Sequence, residues 1–128
     1  MAIGKEQILD AAKAIAAVEH VRMDPRYALE DTMLFAEAFP EEEEFTIAVA
    51  NLIRSLKLLV RSRTTPAALK HQLSGWHSCH FQHRVVQGGQ ADCRIIYRQQ
   101  DETLDVLAFV HRSRPSDIYE RVSDTRLD

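Results

Sequence analysis

A chain of 128 residues, 45% of them apolar, is long enough for one packed domain and too short for two comfortable ones. No apolar run reaches the roughly 20 residues a membrane-spanning helix needs, and Lys5, Glu6, Asp10, Lys13 and Glu19 interrupt the start in a way a signal peptide does not allow. The two cysteines, Cys79 and Cys93, make no disulfide framework, so the expectation is a cytoplasmic protein with reduced thiols.

The formal net charge of −3 is unevenly spread. Residues 1–53 hold four Lys/Arg against eleven Asp/Glu, a balance of −7. Residues 54–122 hold eleven against six, or +5, with five of the six histidines, and the tail from Ser123 adds −1. A basic segment of mostly arginine, interleaved with histidine and tyrosine, suits a phosphate-rich partner. Charges also segregate by chance in short chains, so the division alone decides nothing.

In chain order, Ile8, Ala12, Ile15 and Ala16 form one stripe and predict an amphipathic helix from Lys5 to about Val18. Val18 to Met23 either extends that helix or forms a short strand. Asp24-Pro25 starts a second helix, with the aspartate as N-cap and proline at the first helical position. It should bury Leu29, Met33, Leu34 and Ala36 and stop near Pro40. A third helix opens on "EEEE" (41–44), whose charge complements the helix dipole, and runs through Ile47, Leu52, Ile53, Leu56, Leu59 and Val60. The glutamate run reads as a solvated helix start. "RSRTTP" ends that helix, and one or two helical turns fit between Pro66 and Leu73.

From there the pattern changes. "HSCHFQHRVV" (77–86), "DCRIIYRQ" (92–99) and "TLDVLAFVHR" (103–112) are rich in β-branched and aromatic residues. They predict a three-stranded antiparallel meander with a tight hairpin at Gly88-Gly89. Pro115-Ser116-Asp117 then starts a short C-terminal helix through Tyr119 and Val122. The whole is one α+β domain: N-terminal helices packed on a small antiparallel sheet, with room for a fourth, edge strand.

The cluster "GWHSCHFQHR" (75–84) raises the question of a metal. In a strand, His77, Cys79 and His83 share one face and His80 takes the other. Zinc needs four converging nitrogen or sulfur ligands, and even with Cys93 opposite no CxxC or helical HxxxH completes a set, so no metal site is expected. His77 and His83 read as core or rim groups. Alternation says more. Ser78, His80, Gln82 and Arg84 form a polar row, and Asp92, Arg94, Ile96 and Arg98 continue it on the next strand. The third strand is apolar on both faces apart from Asp105, which fits a central position. The outcome is a sheet with a basic face, flanked by His111, Arg112, Arg114 and Tyr119.

Such a face is either a row of solvated arginines or a nucleic-acid surface, where arginine grips phosphate and histidine or tyrosine stacks on bases. If chemistry occurs, these residue types suit RNA cleavage. His111 or Tyr119 is a candidate base for the 2′-hydroxyl, and Arg94 and Arg112 supply positive charge for the phosphorane. No acidic cluster offers a magnesium site, so a metal-independent mechanism without a cofactor is expected.

"DCRIIYRQQDETLDVLAFVHRSRPSDIYERV" (92–122) resembles the closing hairpin and helix of the RelE/ParE superfamily of type II toxins. The recurring elements are Arg-Ile-Ile-Tyr, a hydrophobic strand, a Lys/His-Arg pair, and Asp-Ile-Tyr opening a last helix. "LKHQLSGW" (69–76) is similar to the segment before the meander in that family. Asp24 onward would be its helical pair and Val18–Met23 its first strand, leaving residues 1–17 as an N-terminal helical extension. The resemblance implies a RelE-like toxin that enters the ribosome and cuts mRNA there, an endoribonuclease held inactive by a cognate antitoxin. Operator DNA would be met only through the antitoxin complex. Carried over by position, Arg94, His111, Arg112 and Tyr119 are the implied catalytic residues. His80, Arg84, Arg98 and Arg114 are the expected RNA contacts. The superfamily's other branch binds DNA gyrase without cutting nucleic acid, and that alternative stays open, as does an inactive interaction module.

Overall fold

The computed structural model describes residues 3–61, 67–68, 75–100, 102–111 and 126. Three helices precede most of the sheet: α1 (Lys5–Ala16), α2 (Pro25–Ala38) and α3 (Glu42–Arg61). Strand β1 (Val21–Arg22) lies between α1 and α2, and β2 (Ala67–Ala68), β3 (His77–Phe81), β4 (Cys93–Gln100) and β5 (Thr103–His111) follow. The general α+β class is as the sequence predicts.

Helix ends follow local chemistry. The Gln7 side chain accepts from the Gly4 N–H at 2.9 Å, satisfying a donor at the start of α1. Asp24 caps α2 by accepting from the Arg26 N–H at 2.9 Å, with Pro25 as the first helical residue. Between α1 and β1 the chain turns through His20, whose φ of 67° lies in the left-handed region. Its carbonyl accepts from the Leu104 N–H at 2.7 Å and begins the contact between β1 and β5.

The strand order is β1-β5-β4-β3-β2. β3, β4 and β5 form the expected meander, and β1 is the edge strand, resolving the choice at Val18–Met23 in favour of a strand, but it joins β5 in parallel, so the sheet is mixed where an antiparallel one was expected. The fifth strand is a correction: Ala67 and Ala68 pair with Ser78 and His77, where helical turns were expected. The rest of 62–74, and the C-terminal helix expected from Pro115, lie outside the described residues.

A second correction concerns the hairpin. β3 stops at Phe81, so Gln82 to Val86 are not strand, and an irregular loop over 82–92 replaces the tight Gly-Gly turn. Within it, the Gly89 N–H bonds the Val86 carbonyl at 3.0 Å, and Gly88 supplies the positive φ of 79° at the turn's third position. The loop leaves the ladder because its side chains have better partners elsewhere.

The helices cover one face of the sheet. Phe35, Phe39, Phe45, Ala48, Leu52 and Leu56 pack with Phe81, Cys93, Ile95, Tyr97, Val106 and Phe109. Phe35 stands edge-on to both Phe39 and Phe109, at 5.5 and 5.2 Å. α1 rests on α2 and α3 and contributes Ile15 to this core.

The buried stripe of α2 differs from the predicted one. Ala28, Asp31, Thr32 and Phe35 are buried, whereas Met33 is 52% exposed and Leu29, Leu34 and Ala36 are half-buried. The reason is an acid in the core. Asp31 is wholly buried, bonds Arg126 through both oxygens (2.5 and 2.7 Å) and accepts from the Phe109 N–H at 3.0 Å. An apolar-periodicity reading discards an aspartate, and so rotates the stripe.

Candidate nucleic-acid interface

On the sheet face away from the core cluster, strand alternation places Ser78 and His80 of β3, Arg94, Ile96 and Arg98 of β4, and Asp105, Ala108 and Val110 of β5. The register sets His80 directly across from Arg94, and Ser78 across from Ile96. This face is not a bare plane of solvated arginines, because Ile96, Ala108 and Val110 are fully buried. β4 and β5 are central strands, and both faces of their middle are apolar.

His80 and Arg94 form the polar pair of this face. His80 is exposed and Arg94 half-buried. Partial desolvation first, and then the Arg94 charge, hold the His80 imidazole below its usual range, which favours the neutral ring. A neutral imidazole has one nitrogen able to accept a proton. A guanidinium beside it can grip a phosphate. Next along β3, the Ser78 Oγ is buried with no hydrogen-bond partner among the described residues.

The remaining expected contacts are dispersed. Arg98 follows Arg94 by four residues, about 13 Å along a strand, too far to share one phosphate. Its guanidinium lies 4.4 Å from the centre of the Trp76 ring and reaches Asp105 at 3.5 Å. Asp105 also binds Arg22 of β1 at 2.7 Å, so the lone acid of β5 gathers two arginines at the β1 end of the sheet. Arg84 does not share the row with His80. It lies beyond the end of β3 and its guanidinium binds Glu44 of α3.

His111 is also separated from Arg94. It pairs with Cys93, whereas Arg94 pairs with Val110, so the two side chains leave opposite faces of the sheet. The His111 ring meets Phe39 edge-on at 5.6 Å, on the helix side. Arg112, Arg114 and Tyr119 lie outside the described residues.

Among the described residues no group of three or more His, Cys, Asp or Glu is arranged to hold a metal ion. The histidine cluster splits instead. His77 stays in β3, while His83, beyond the strand, stacks on Phe39 at 4.4 Å with each ring nitrogen against a carboxylate. Burial raises the Cys79 thiol, and the Cys93 thiol more strongly, so neither is a ready thiolate. Among the described residues no helix is long and apolar enough to cross a membrane.

No protein-family model, curated protein or solved structure matches the chain.

Two clusters escape the sequence reading. The first joins His83, Asp92, Glu44 and Arg84. The reading of His83 as a satisfied rim group is close, but nothing in the spacing ties it to a glutamate 39 residues away. The second is Asp31 with Arg126. Its one available signal is the acid itself, in phase with Ala28, Thr32 and Phe35 on a helix face that must be buried.

Proposed function

We propose that the chain is the toxin of a type II toxin–antitoxin system, a metal-independent endoribonuclease of the RelE-like branch that cuts mRNA on the ribosome. The observation that carries this reading is the His80–Arg94 pair, an imidazole held below its usual range by partial burial and the Arg94 charge, opposite that guanidinium on the face away from the core cluster. The resemblance of residues 92–122 supports it. So does the position of β1, a short edge strand before the helical pair, where that resemblance expects a first strand.

In this mechanism His80 takes the base role first expected of His111, because His80 shares a face with Arg94 and His111 does not. Its free nitrogen accepts the 2′-hydroxyl proton as the oxygen attacks phosphorus. Arg94 holds the phosphate and stabilises the charge that develops on it. Arg112 and Tyr119 keep the roles the resemblance implies, orienting and stabilising the scissile phosphate or stacking on the base, and the leaving 5′-oxygen takes its proton from a neighbouring acid. A cognate antitoxin is the natural partner, with ribosome and mRNA as target and the cytoplasm as the site of action.

A specific observation favours a second reading, a protein-binding module such as a non-nucleolytic gyrase inhibitor. Arg84 and Arg98 are engaged by Glu44 and by Asp105, so fewer cations face a phosphate than the sequence promised. Induced expression in a bacterial host, followed by mapping of mRNA 5′ ends, separates the two. Cuts within translated codons, lost in Arg94→Ala, support the ribonuclease. DNA breaks with intact messages support the gyrase inhibitor.

A further inference from the structure

His83 is held from four directions. Its Nδ1 lies 2.5 Å from Asp92 Oδ2 and its Nε2 lies 2.8 Å from Glu44 Oε2. Its backbone N–H donates to Asp92 Oδ1 at 2.9 Å, and its carbonyl accepts from Asn51 Nδ2 of α3 at 2.6 Å. The ring stacks on Phe39, at the end of α2, and His111 of β5 lies beyond Phe39. Among the described residues, Arg84 shares Glu44, Glu43 lies 4.0 Å from Arg84, and the buried Cys93 thiol bonds Asp92.

Ionised carboxylates only accept hydrogen bonds, so both ring nitrogens must donate, and only the imidazolium can do that. A neutral ring would turn a lone pair toward one of the two carboxylates. The contact would then change from charge-assisted attraction to repulsion. The loop 82–92 is tied to α3 by this ring, by the Arg84–Glu44 bridge and by Asn51.

We propose that His83 is a proton-controlled latch that pins the loop 82–92 to the first turn of α3 when its ring carries both protons, and frees it when one is lost. The loop joins the strand of His80 to the strand of Arg94. Release therefore loosens the end of the β3–β4 ladder, at the Phe81–Cys93 and His80–Arg94 pairs. Glu44 and Asp92 complement the charged ring, since both carboxyls are held below their usual range. Arg84 and then His83 do this for Glu44. For Asp92, burial pushes upward, and the His83 backbone N–H and ring together outweigh it.

The latch is tested by following the His83 ring nitrogens and the backbone amides of the loop by NMR as pH is raised, on the full chain. The loop amides should move together with the protonation of the ring. Glu44→Gln removes one facing charge and should weaken the ring's hold on its second proton. Arg84→Ala leaves Glu44 unshared and should strengthen it. Opposite shifts from two residues that clasp the same loop are the mark of an electrostatic latch. Loop amides that ignore the protonation of the ring, or shifts of the same sign in both variants, would overturn the proposal.

Discussion

At the scale of single residues, arginines alike in sequence have unlike surroundings. Arg94 stands opposite His80, Arg84 is bridged to Glu44, and Arg98 lies on Trp76 beside Asp105. Under the proposed function these differences predict graded effects. Arg94→Ala should lower mRNA cleavage in a reconstituted translation system about a hundredfold or more, the loss typical of one electrostatic donor to a transition state. Arg84→Ala should leave cleavage within a few-fold of the parent, because its charge already belongs to a carboxylate. Equal losses in both would remove His80–Arg94 as the centre of the site. Arg126 permits a firmer expectation. Its removal strands the buried Asp31 carboxylate, so Arg126→Ala should cost about 3–5 kcal/mol in urea unfolding. The alternation of β3 and β4 could be read because a strand has a two-residue period, which put His80 and Arg94 on one face. The end of β3 at Phe81 could not be read, because it depends on His83 and Arg84 finding acids on α3.

Among the elements, α1 and the loop 82–92 behave differently. α1 packs on α2 and α3 through Ala12 and Ile15, as its apolar stripe predicts, and leaves the His80–Arg94 face alone. Ile15→Ala should therefore cost about 2–5 kcal/mol of stability. A chain beginning at Val18 should melt lower and, under the proposed function, be no more toxic. A rise in toxicity with the fold intact would reassign α1 as an inhibitory segment. In the loop, Glu44 and Asp92 are depressed carboxyls. The stability they add is fully present above the unfolded carboxylate range, near pH 4. It is lost as pH falls through their lower folded values. Thermal melts should show the midpoint holding from neutral to mildly acidic pH and then dropping, with a shallower drop in His83→Ala. Helix positions were legible from capping and charge: Asp24-Pro25 and the glutamates at 42–44 act as those rules require. The buried face of α2 was not, because one in-phase aspartate has a cation partner 95 residues away.

For the whole molecule, the helices that carry most of the acid cover one face of the sheet, and His80 and Arg94 lie on the other. Under the proposed function, RNA binding should weaken with salt, and Arg94→Ala should lower the slope of log affinity against log salt by about 0.7, as expected for one lost phosphate contact on a single strand. An unchanged slope would mean that Arg94 does not touch the backbone.

The pairing of Asp31 with Arg126 also bears on how the molecule comes into being. β1 meets β5 across some eighty residues, and β5 beyond Asp105 offers its edge to side chains: the Phe109 N–H donates to Asp31 and the Leu107 carbonyl accepts from Arg126. During synthesis α1, α2 and α3 emerge early, and local contacts allow them to form quickly. The acid that α2 must bury then has no counter-charge until translation has passed residue 126. Folding of the sheet layer is thereby deferred until Arg126 has been made. A ribosome making this chain would carry a helical precursor with an unfinished sheet, and the His80–Arg94 pair would be assembled only as Arg126 closes over Asp31.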